Sequence, residues 1–351
     1  MLQHTSTPPV SLLVIGAGAI GRTHIDRIQR TPGLTLAGVA DPTDAGRALA
    51  EAAGAPWVAT HTEALERFRP QGAIVATPNV LHVPLAMDCL AAGVAALVEK
   101  PIANTVAEAQ CLVDAQSQTG VPVLVGHHRR HNPITQQAWQ QIQMGHLGRL
   151  VGANAMACFY KPEGYFDMAW RCEPGGGPVL INLIHEIDML RFLCGEVTEV
   201  QAISSNAVRG FAVEDTAAAV LRFANGALGT VLLSDTAVSP WNWDLCAAEQ
   251  DAYPRQDVNA LVITGTNGSL SLPDLSFWHY RGERHWHQPL VRTQTAAHKI
   301  DPYTRQLQHF AAVIRGEEAP LCSALDGLRT LQVTQALLQA AATGHSVTCP
   351  M

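Results

Sequence analysis

Gly16-Ala17-Gly18-Ala19-Ile20-Gly21 stands between an apolar run, Ser11–Ile15, and a stretch that reads as a helix, His24–Arg30. A strand, a glycine-rich turn and a helix in that order open a dinucleotide-binding unit. The first glycine makes the tight turn, the second lets backbone approach a pyrophosphate, and the third lets helix and strand pack closely. The helix N-terminus then offers N–H groups to the phosphates. The pattern alone recurs by chance in chains rich in Gly and Ala, so its neighbours decide. Asp41 lies twenty residues beyond Gly21, at the end of the next apolar run, where a carboxylate grips the adenosine ribose hydroxyls. Its charge repels a 2′-phosphate, and Pro42-Thr43-Asp44 brings no cation to offset that. The expected cofactor is NAD, with NADP disfavoured.

Working outward, short apolar runs at Ser11–Ile15, Leu34–Ala40, Ala73–Ala76, Ala95–Glu99 and Val121–Gly126 alternate with helix-like stretches. Unbroken apolar runs suit strands buried on both faces of a parallel sheet. Thr105, with Glu108 three residues on, reads as a capping box opening the helix Val106–Thr119. After a helix around Ile134–Met144 the pattern changes to longer strands, Val197–Ser205, Thr216–Phe223 and Ala227–Asp235, then Ala260–Gly265, Ser269–Leu272 and Phe277–Arg281. Asn225-Gly226 reads as a type I′ hairpin turn. Helices are expected at Asn182–Leu193, Thr304–Arg315 and Ala324–Thr343. The expected fold is therefore a loose tail over 1–9, an α/β Rossmann domain with a doubly wound parallel sheet over 10–130, and an α+β domain with a large, mostly antiparallel open-faced sheet over 131–351. The long strands carry apolar residues on both faces, more than these helices cover, so a homodimer or homotetramer is expected.

Composition narrows the class. Of the 351 residues 47% are apolar and 15% charged, which excludes a disordered chain. A net charge of −7 argues against nucleic acid or an acidic membrane surface as partner. No uncharged apolar run is long enough for a membrane span. The start, Met1–Pro9, lacks a signal peptide's basic and apolar regions, and eight cysteines without C-x-x-C spacing suit reduced thiols. A cytoplasmic location is expected.

Further stretches carry a resemblance. Ala76-Thr77-Pro78-Asn79 followed by His82, then Glu99-Lys100-Pro101, end two successive apolar strands. Gly175-Gly176-Gly177 precedes the helix bearing His185-Glu186-Ile187-Asp188, and Gly327-Leu328-Arg329-Thr330-Leu331-Gln332-Val333 comes near the end. Together these resemble the Gfo/Idh/MocA oxidoreductases over nearly the whole chain, Val10 to Val347. The resemblance implies a Rossmann half, an open-faced sheet, and a metal-independent dehydrogenase that moves hydride between nicotinamide and a secondary alcohol. It places Gly16, Ala17, Gly18, Ala19, Ile20, Gly21, Asp41, Thr77, Pro78, Asn79, His82, Glu99 and Lys100 on the cofactor. It makes Lys100 the catalytic lysine and His185 the acid/base. The chemistry agrees: an alcohol that gives up hydride must lose a proton, which His takes near neutral pH, and a cation stabilises the developing alkoxide. Arg130, Trp170, Arg171 and Asn182 are the implied substrate contacts.

One departure stands out. The family usually carries Asp four residues before the helix His; here Ile181 occupies that position and Asn182 lies three before His185. Asn182 can hydrogen-bond substrate or orient the imidazole, but cannot act as a base. The substrate class stays open between a sugar or cyclic polyol and a carboxylated ring diol, for which Arg129, Arg130, Lys161 and Arg171 offer carboxylate partners. A non-catalytic NAD-binding sensor of the same fold family is the alternative, opposed by the presence of both Lys100 and His185. His279, His285 and His287 with Trp286 tempt a metal reading, but no acidic or Cys partner is near in sequence, so no metal is expected.

Overall fold

The computed structural model describes residues 8–250, 252–298 and 300–350; most of the expected tail lies outside them. The chain divides into two compact units, Met1–His131 with Asp301–Leu328, and Asn132–Ile300 with Arg329–Met351.

In the first unit β1 (Val10–Ile15), β2 (Leu34–Ala40), β3 (Trp57–Val58), β4 (Gly72–Val75), β5 (Ala95–Val98) and β6 (Val123–Val125) form a parallel sheet. Their order is β3-β2-β1-β4-β5-β6. Crossovers α1 (Ala19–Arg30), α2 (Asp44–Ala52), α3 (His61–Phe68), α4 (His82–Ala91) and α5 (Val106–Thr119) connect them. Leu12, Leu13, Val14, Ile74, Val75, Leu97 and Val98 are fully buried, as expected of strands covered on both faces. The strand order reverses between β1 and β4, so the carboxyl ends of β1, β2, β4 and β5 border the crevice where such sheets take ligands. The capping box is present: Glu108 N–H donates to Thr105 Oγ1 at 3.2 Å, and Thr105 N–H donates to Glu108 Oε2 at 3.0 Å.

The second unit holds a nine-stranded sheet ordered β14-β13-β12-β11-β7-β10-β9-β8-β15. Its strands are β7 (Leu150–Cys158), β8 (Val197–Ser205), β9 (Thr216–Phe223), β10 (Leu228–Ser234), β11 (Leu261–Gly265), β12 (Gly268–Leu272), β13 (Ser276–His279), β14 (Val291–Gln294) and β15 (Val347–Thr348). β7 and β10 run parallel; every other neighbouring pair is antiparallel. Helices α6 (Pro133–Gln143), α7 (Ile184–Cys194) and the single turn α8 (Trp243–Cys246) belong to this unit. The strands alternate: Ala217, Ala219, Leu221 and Phe223 of β9 join the core, while Ala218, Val220 and Arg222 face out. Registry places Ile203, Ala218, Leu232 and Met156 in one row across β8, β9, β10 and β7 on that outer face. Ile203 there is 77% exposed. The hairpin at Asn225-Gly226 forms with a different turn. Phe223 N–H donates to Ala227 O, closing a three-residue loop in which only Gly226 has positive φ (+88°). That is the signature of a type I turn with a glycine bulge, not type I′.

Two helices follow, α9 (Pro302–Ile314) and α10 (Ala324–Thr343). The sequence assigns everything after residue 130 to the second domain; the chain instead returns to the first unit over Asp301–Leu328. The return is held by polar and ring contacts. Arg27 Nε donates to Asp301 Oδ2 at 2.9 Å, the Tyr303 ring stacks on His128 at 4.4 Å, and Val125 N–H donates to Cys322 O at 2.8 Å. Phe310 and Ile314 fill the space that a side chain at Gly72 of β4 would take. Gly327 has the same logic: a Cβ there would meet Val125 Cγ2 at 2.8 Å, so α10 starts hard against β6 only because this residue is glycine.

Candidate active site

The glycine-rich turn shows steric reasons for two of its glycines and open space at the third. Gly16 has φ +94°, and a Cβ on it would lie 2.7 Å from Ala76 O. A Cβ on Gly21 would lie 2.0 Å from Gly16 O, so the turn closes only without one. Gly18 differs: nothing stands within 4 Å of its Cβ position. It is also the N-cap of α1 with no side-chain cap, which leaves the first-turn N–H groups to a ligand. An open glycine over an uncapped helix start is the shape that a pyrophosphate needs. Asp41, half-buried, braces the turn from the side. Its Oδ2 accepts from Ala17 N–H at 2.7 Å and its Oδ1 from Thr43 N–H at 2.9 Å. The nearest cation on α2, Arg47, pairs with Glu51 at 2.9 Å and lies over the Trp57 ring. Thr77 Oγ1 is buried without a hydrogen-bond partner among the described residues, at the strand end that Gly16 touches. The residues fit a dinucleotide, with Ala19, Ile20, Asn79 and Pro78 on the same rim.

Behind that rim two predicted cofactor contacts act as supports. His82 is buried, with Nδ1 2.8 Å from Pro101 O and Nε2 2.9 Å from Thr77 O, and so ties the loop after β4 to the loop after β5. Burial lowers its pKa, and the two carbonyls that it faces oppose that shift. Glu99 is buried against His24 of α1, Oε1 to Nε2 at 2.8 Å, and its Oε2 accepts from Lys100 N–H at 3.2 Å. Burial alone would raise its pKa; the hydrogen bond from His24 and the charges of His24, Lys100 and His128 outweigh that and hold it below the usual value. A Cβ at Gly126 would meet this carboxyl at 2.9 Å. Lys100 follows, half-buried, with a cis bond to Pro101 at the end of β5.

In the second unit Val179–Leu183 is a π-helical turn running directly into α7. His185 is the second residue of α7 and half-buried. Asn182 Oδ1 accepts from Lys161 Nζ at 2.7 Å. Glu214 braces the start of the turn, its Oε1 accepting from Val179 N–H at 2.8 Å where Gly177 leaves it room. Asp188 is structural, taking the Thr330 hydroxyl at 2.9 Å.

The basic run His127–His131 is buried throughout, not a solvated face. Arg130, read as a substrate contact, has Nη1 on Leu321 O at 2.9 Å and 3.4 Å from Asp326, and so helps fasten the returning segment. Arg171 lies over the Tyr165 ring at 3.9 Å and donates to Tyr165 O, while Trp170 beside it is exposed. The sequence reading offered Lys161 only as a carboxylate partner and passed over Asp235, Tyr165 and Tyr253. Lys161 follows the end of β7, stacks over Tyr165 at 4.6 Å, and lies 3.6 Å from Asp235, whose other oxygen takes Arg209 Nε at 3.0 Å. Burial is the main force lowering the Lys161 pKa, to about 8, with Asp235 opposing it. Lys161 and Asn182 line a cavity of ≈ 680 Å³ with Phe159, Tyr165, Asp244 and Tyr253. A legible signal existed: Lys161-Pro162 after a strand repeats the Lys100-Pro101 arrangement. Among the described residues no cluster suited to a metal ion is present, and no helix is long and apolar enough to cross a membrane.

Comparison with known proteins agrees with the geometry. Residues 10–127 match the oxidoreductase family model with an NAD-binding Rossmann fold, and residues 135–271 match the GFO/IDH/MocA C-terminal domain. The chain is 27% identical to scyllo-inositol 2-dehydrogenase (NAD(+)) of Bacillus subtilis, over 92% of each chain. It is 28% identical to inositol 2-dehydrogenase 2 of Paenarthrobacter aurescens, over 94% of this chain and 96% of that one. The WlbA dehydrogenase of Bordetella pertussis, solved with NADH and UDP-GlcNAcA, shares the fold at a TM-score of 0.78 and 22% identity, covering 98% and 99% of the two chains. The chain belongs to the Gfo/Idh/MocA family of oxidoreductases, NAD(P)-dependent dehydrogenases that act on CH–OH groups.

Proposed function

We propose that this protein is an NAD-dependent dehydrogenase for a secondary alcohol of a sugar or cyclic polyol. The observation that carries the reading is the cradle: an open Gly18, an uncapped α1 and a carboxylate, Asp41, set beside it. Asp41 selects NAD, since a 2′-phosphate would meet its charge while Arg47 is engaged by Glu51. Bound nicotinamide supplies the hydride acceptor. The chain supplies the rest. His185 takes the hydroxyl proton, and Lys100 stabilises the oxygen as it gains charge. Glu99, anchored by His24, holds the backbone that presents Lys100. His82 fixes the two strand-end loops on which Thr77, Pro78, Asn79 and Lys100 are carried.

The sugar or polyol reading gains over a carboxylated diol because two of the cations offered for a carboxylate are engaged within the protein. Arg130 holds Leu321 and Asp326, and Arg171 holds Tyr165. Inositol dehydrogenases among the relatives point the same way. The outer row Ile203, Ala218, Leu232 and Met156 supports self-association through the open sheet face. The test is NADH formation, followed at its nicotinamide absorbance, with myo-inositol, scyllo-inositol, D-glucose, D-xylose and an aromatic dihydrodiol acid. Turnover of the diol acid alone, or of none of them by protein that binds NADH, overturns the reading.

A further inference from the structure

A buried lysine needs a reason. Lys161 has a side chain only 4% exposed, and a buried ammonium costs several kcal/mol unless well paired. Its compensation is incomplete: the carboxylate beside it, Asp235, lies 3.6 Å away and is already bonded by Arg209 at 3.0 Å. An apolar side chain against Phe159 and Tyr165 would serve packing better, so stability alone does not account for the residue. The cavity that Lys161 lines does. Among the described residues its wall carries one cation, Lys161, and one carboxylate, Asp244, with aromatic rings at Phe159, Tyr165 and Tyr253. Rings suit the C–H face of a saturated ring, a balanced pair of charges suits a neutral ligand, and the volume is in the range of small-molecule sites.

We propose that Lys161 is a specificity-determining residue, binding hydroxyls of a neutral polyhydroxylated ring in this cavity together with Asn182. The proposal rests on the dehydrogenase reading above. An ammonium only donates, so the hydrogen bond at 2.7 Å turns Asn182 Oδ1 toward Lys161 and its amide N–H groups away from it. The family's carboxylate, an acceptor, is absent at Ile181; in its place this chain presents two donors, fixed by each other. Donors at this wall and an acceptor at Asp244 match a ring whose hydroxyls both give and take hydrogen bonds. A carboxylated ring would gain Lys161 and meet Asp244.

The experiment compares wild type, Lys161→Met and Asn182→Ala in steady-state kinetics with myo-inositol, scyllo-inositol, D-glucose, D-xylose and D-glucuronate, alongside NADH titration. Loss of a charged donor to substrate should raise KM about ten- to a hundredfold. NADH affinity should be unchanged and kcat should fall much less than KM rises. Asn182→Ala should raise KM in the same way, and the double variant should add little, since the two donors act as a unit. If Lys161→Met does not fold, Asn182→Ala carries the test alone. An unchanged KM in folded variants with a polyol that wild type turns over overturns this inference and leaves the function standing. Preference for D-glucuronate over D-glucose that Lys161→Met abolishes overturns the neutral-ring assignment. Turnover of no panel member by protein that binds NADH overturns the function, and this inference with it.

Discussion

Replacing Gly18 with Ala separates cofactor binding from folding. The backbone at Gly18 has φ −68° and ψ −165°, which any residue adopts, and nothing lies within 4 Å of the added Cβ. Folding should change little, by no more than about 1 kcal/mol, because alanine's smaller unfolded-state entropy opposes its weaker preference for an N-cap. The same methyl enters the space over the α1 N-terminus where the pyrophosphate must touch backbone. NADH affinity should fall about ten- to a hundredfold, the loss of one or two charge-assisted hydrogen bonds. Gly21→Ala should behave in the opposite sense. Its Cβ would stand 2.0 Å from Gly16 O, a backbone atom that cannot swing aside. Overpacking of this kind costs about 1–3 kcal/mol, and in a unit of this size each kcal/mol lowers Tm by about 2–4 °C. Calorimetry and NADH fluorescence titration on both variants decide the matter. Wild-type NADH affinity in Gly18→Ala would refute the placement of the pyrophosphate. Unchanged Tm in Gly21→Ala would refute the closed geometry of the turn.

Other outcomes follow from the same geometry. Asp41→Ser should narrow the preference for NADH over NADPH by removing the repelling charge, read by parallel titrations; stronger NADPH binding by wild type would contradict the assignment. His185→Ala should lower kcat about 10²–10⁴-fold with NADH affinity intact and partial recovery at high pH, whereas Lys100→Met should lower kcat without such recovery. Wild-type rates for both variants across pH 6 to 10 would sink the mechanism. Ile203→Asp, placed in the outer apolar row, should shift light-scattering mass toward the monomer, and a wild type that is already monomeric at micromolar concentration would end that idea. Lys161 deprotonates in the folded chain at about 8, below its unfolded value of 10.5. Between those values the unfolded chain binds more protons, so this group makes the protein more stable as pH rises, by at most about 1.4 kcal/mol per pH unit. Denaturant unfolding at pH 7.5 and 9.5 should show a rising stability difference between wild type and Lys161→Met, and equal pH slopes would refute it.

What could be read from sequence was local. Gly21 reports a steric event inside one turn, against Gly16 O, and Thr105 with Glu108 close their capping box within four residues. What could not be read depends on partners far along the chain. β7 is the strand on which the second sheet is centred, yet Leu150–Cys158 is mostly Ala, Gly and Asn, residues of low strand preference, and it forms because β10 and β11 flank it. The return of Asp301–Leu328 depends on Arg27, His128 and Val125, none of which marks the segment in its own sequence. Arg130 sits in a run that local charge reads as solvated, and its burial follows from carbonyl and carboxylate partners about 190 residues away. The π turn before α7 is a local geometry that a period of 3.6 cannot show.

The two lysines show why the site's electrostatics escaped a residue-by-residue reading. Each stands at the end of a strand and precedes a proline, which disfavours helical backbone at the lysine. Each also has a buried carboxylate as neighbour that already serves another basic group: Glu99 bonds His24 at 2.8 Å, and Asp235 bonds Arg209 at 3.0 Å. A carboxylate given wholly to the lysine would cancel the charge that an alkoxide or a hydroxyl needs to feel. Shared with Arg209, Asp235 leaves part of the Lys161 field uncancelled, and Glu99 meets Lys100 through its backbone N–H at 3.2 Å. The identity of the lysine and of the proline is visible in the sequence. The second base that takes half of the carboxylate is visible only in the fold, because His24 lies 75 residues from Glu99 and Arg209 lies 26 from Asp235.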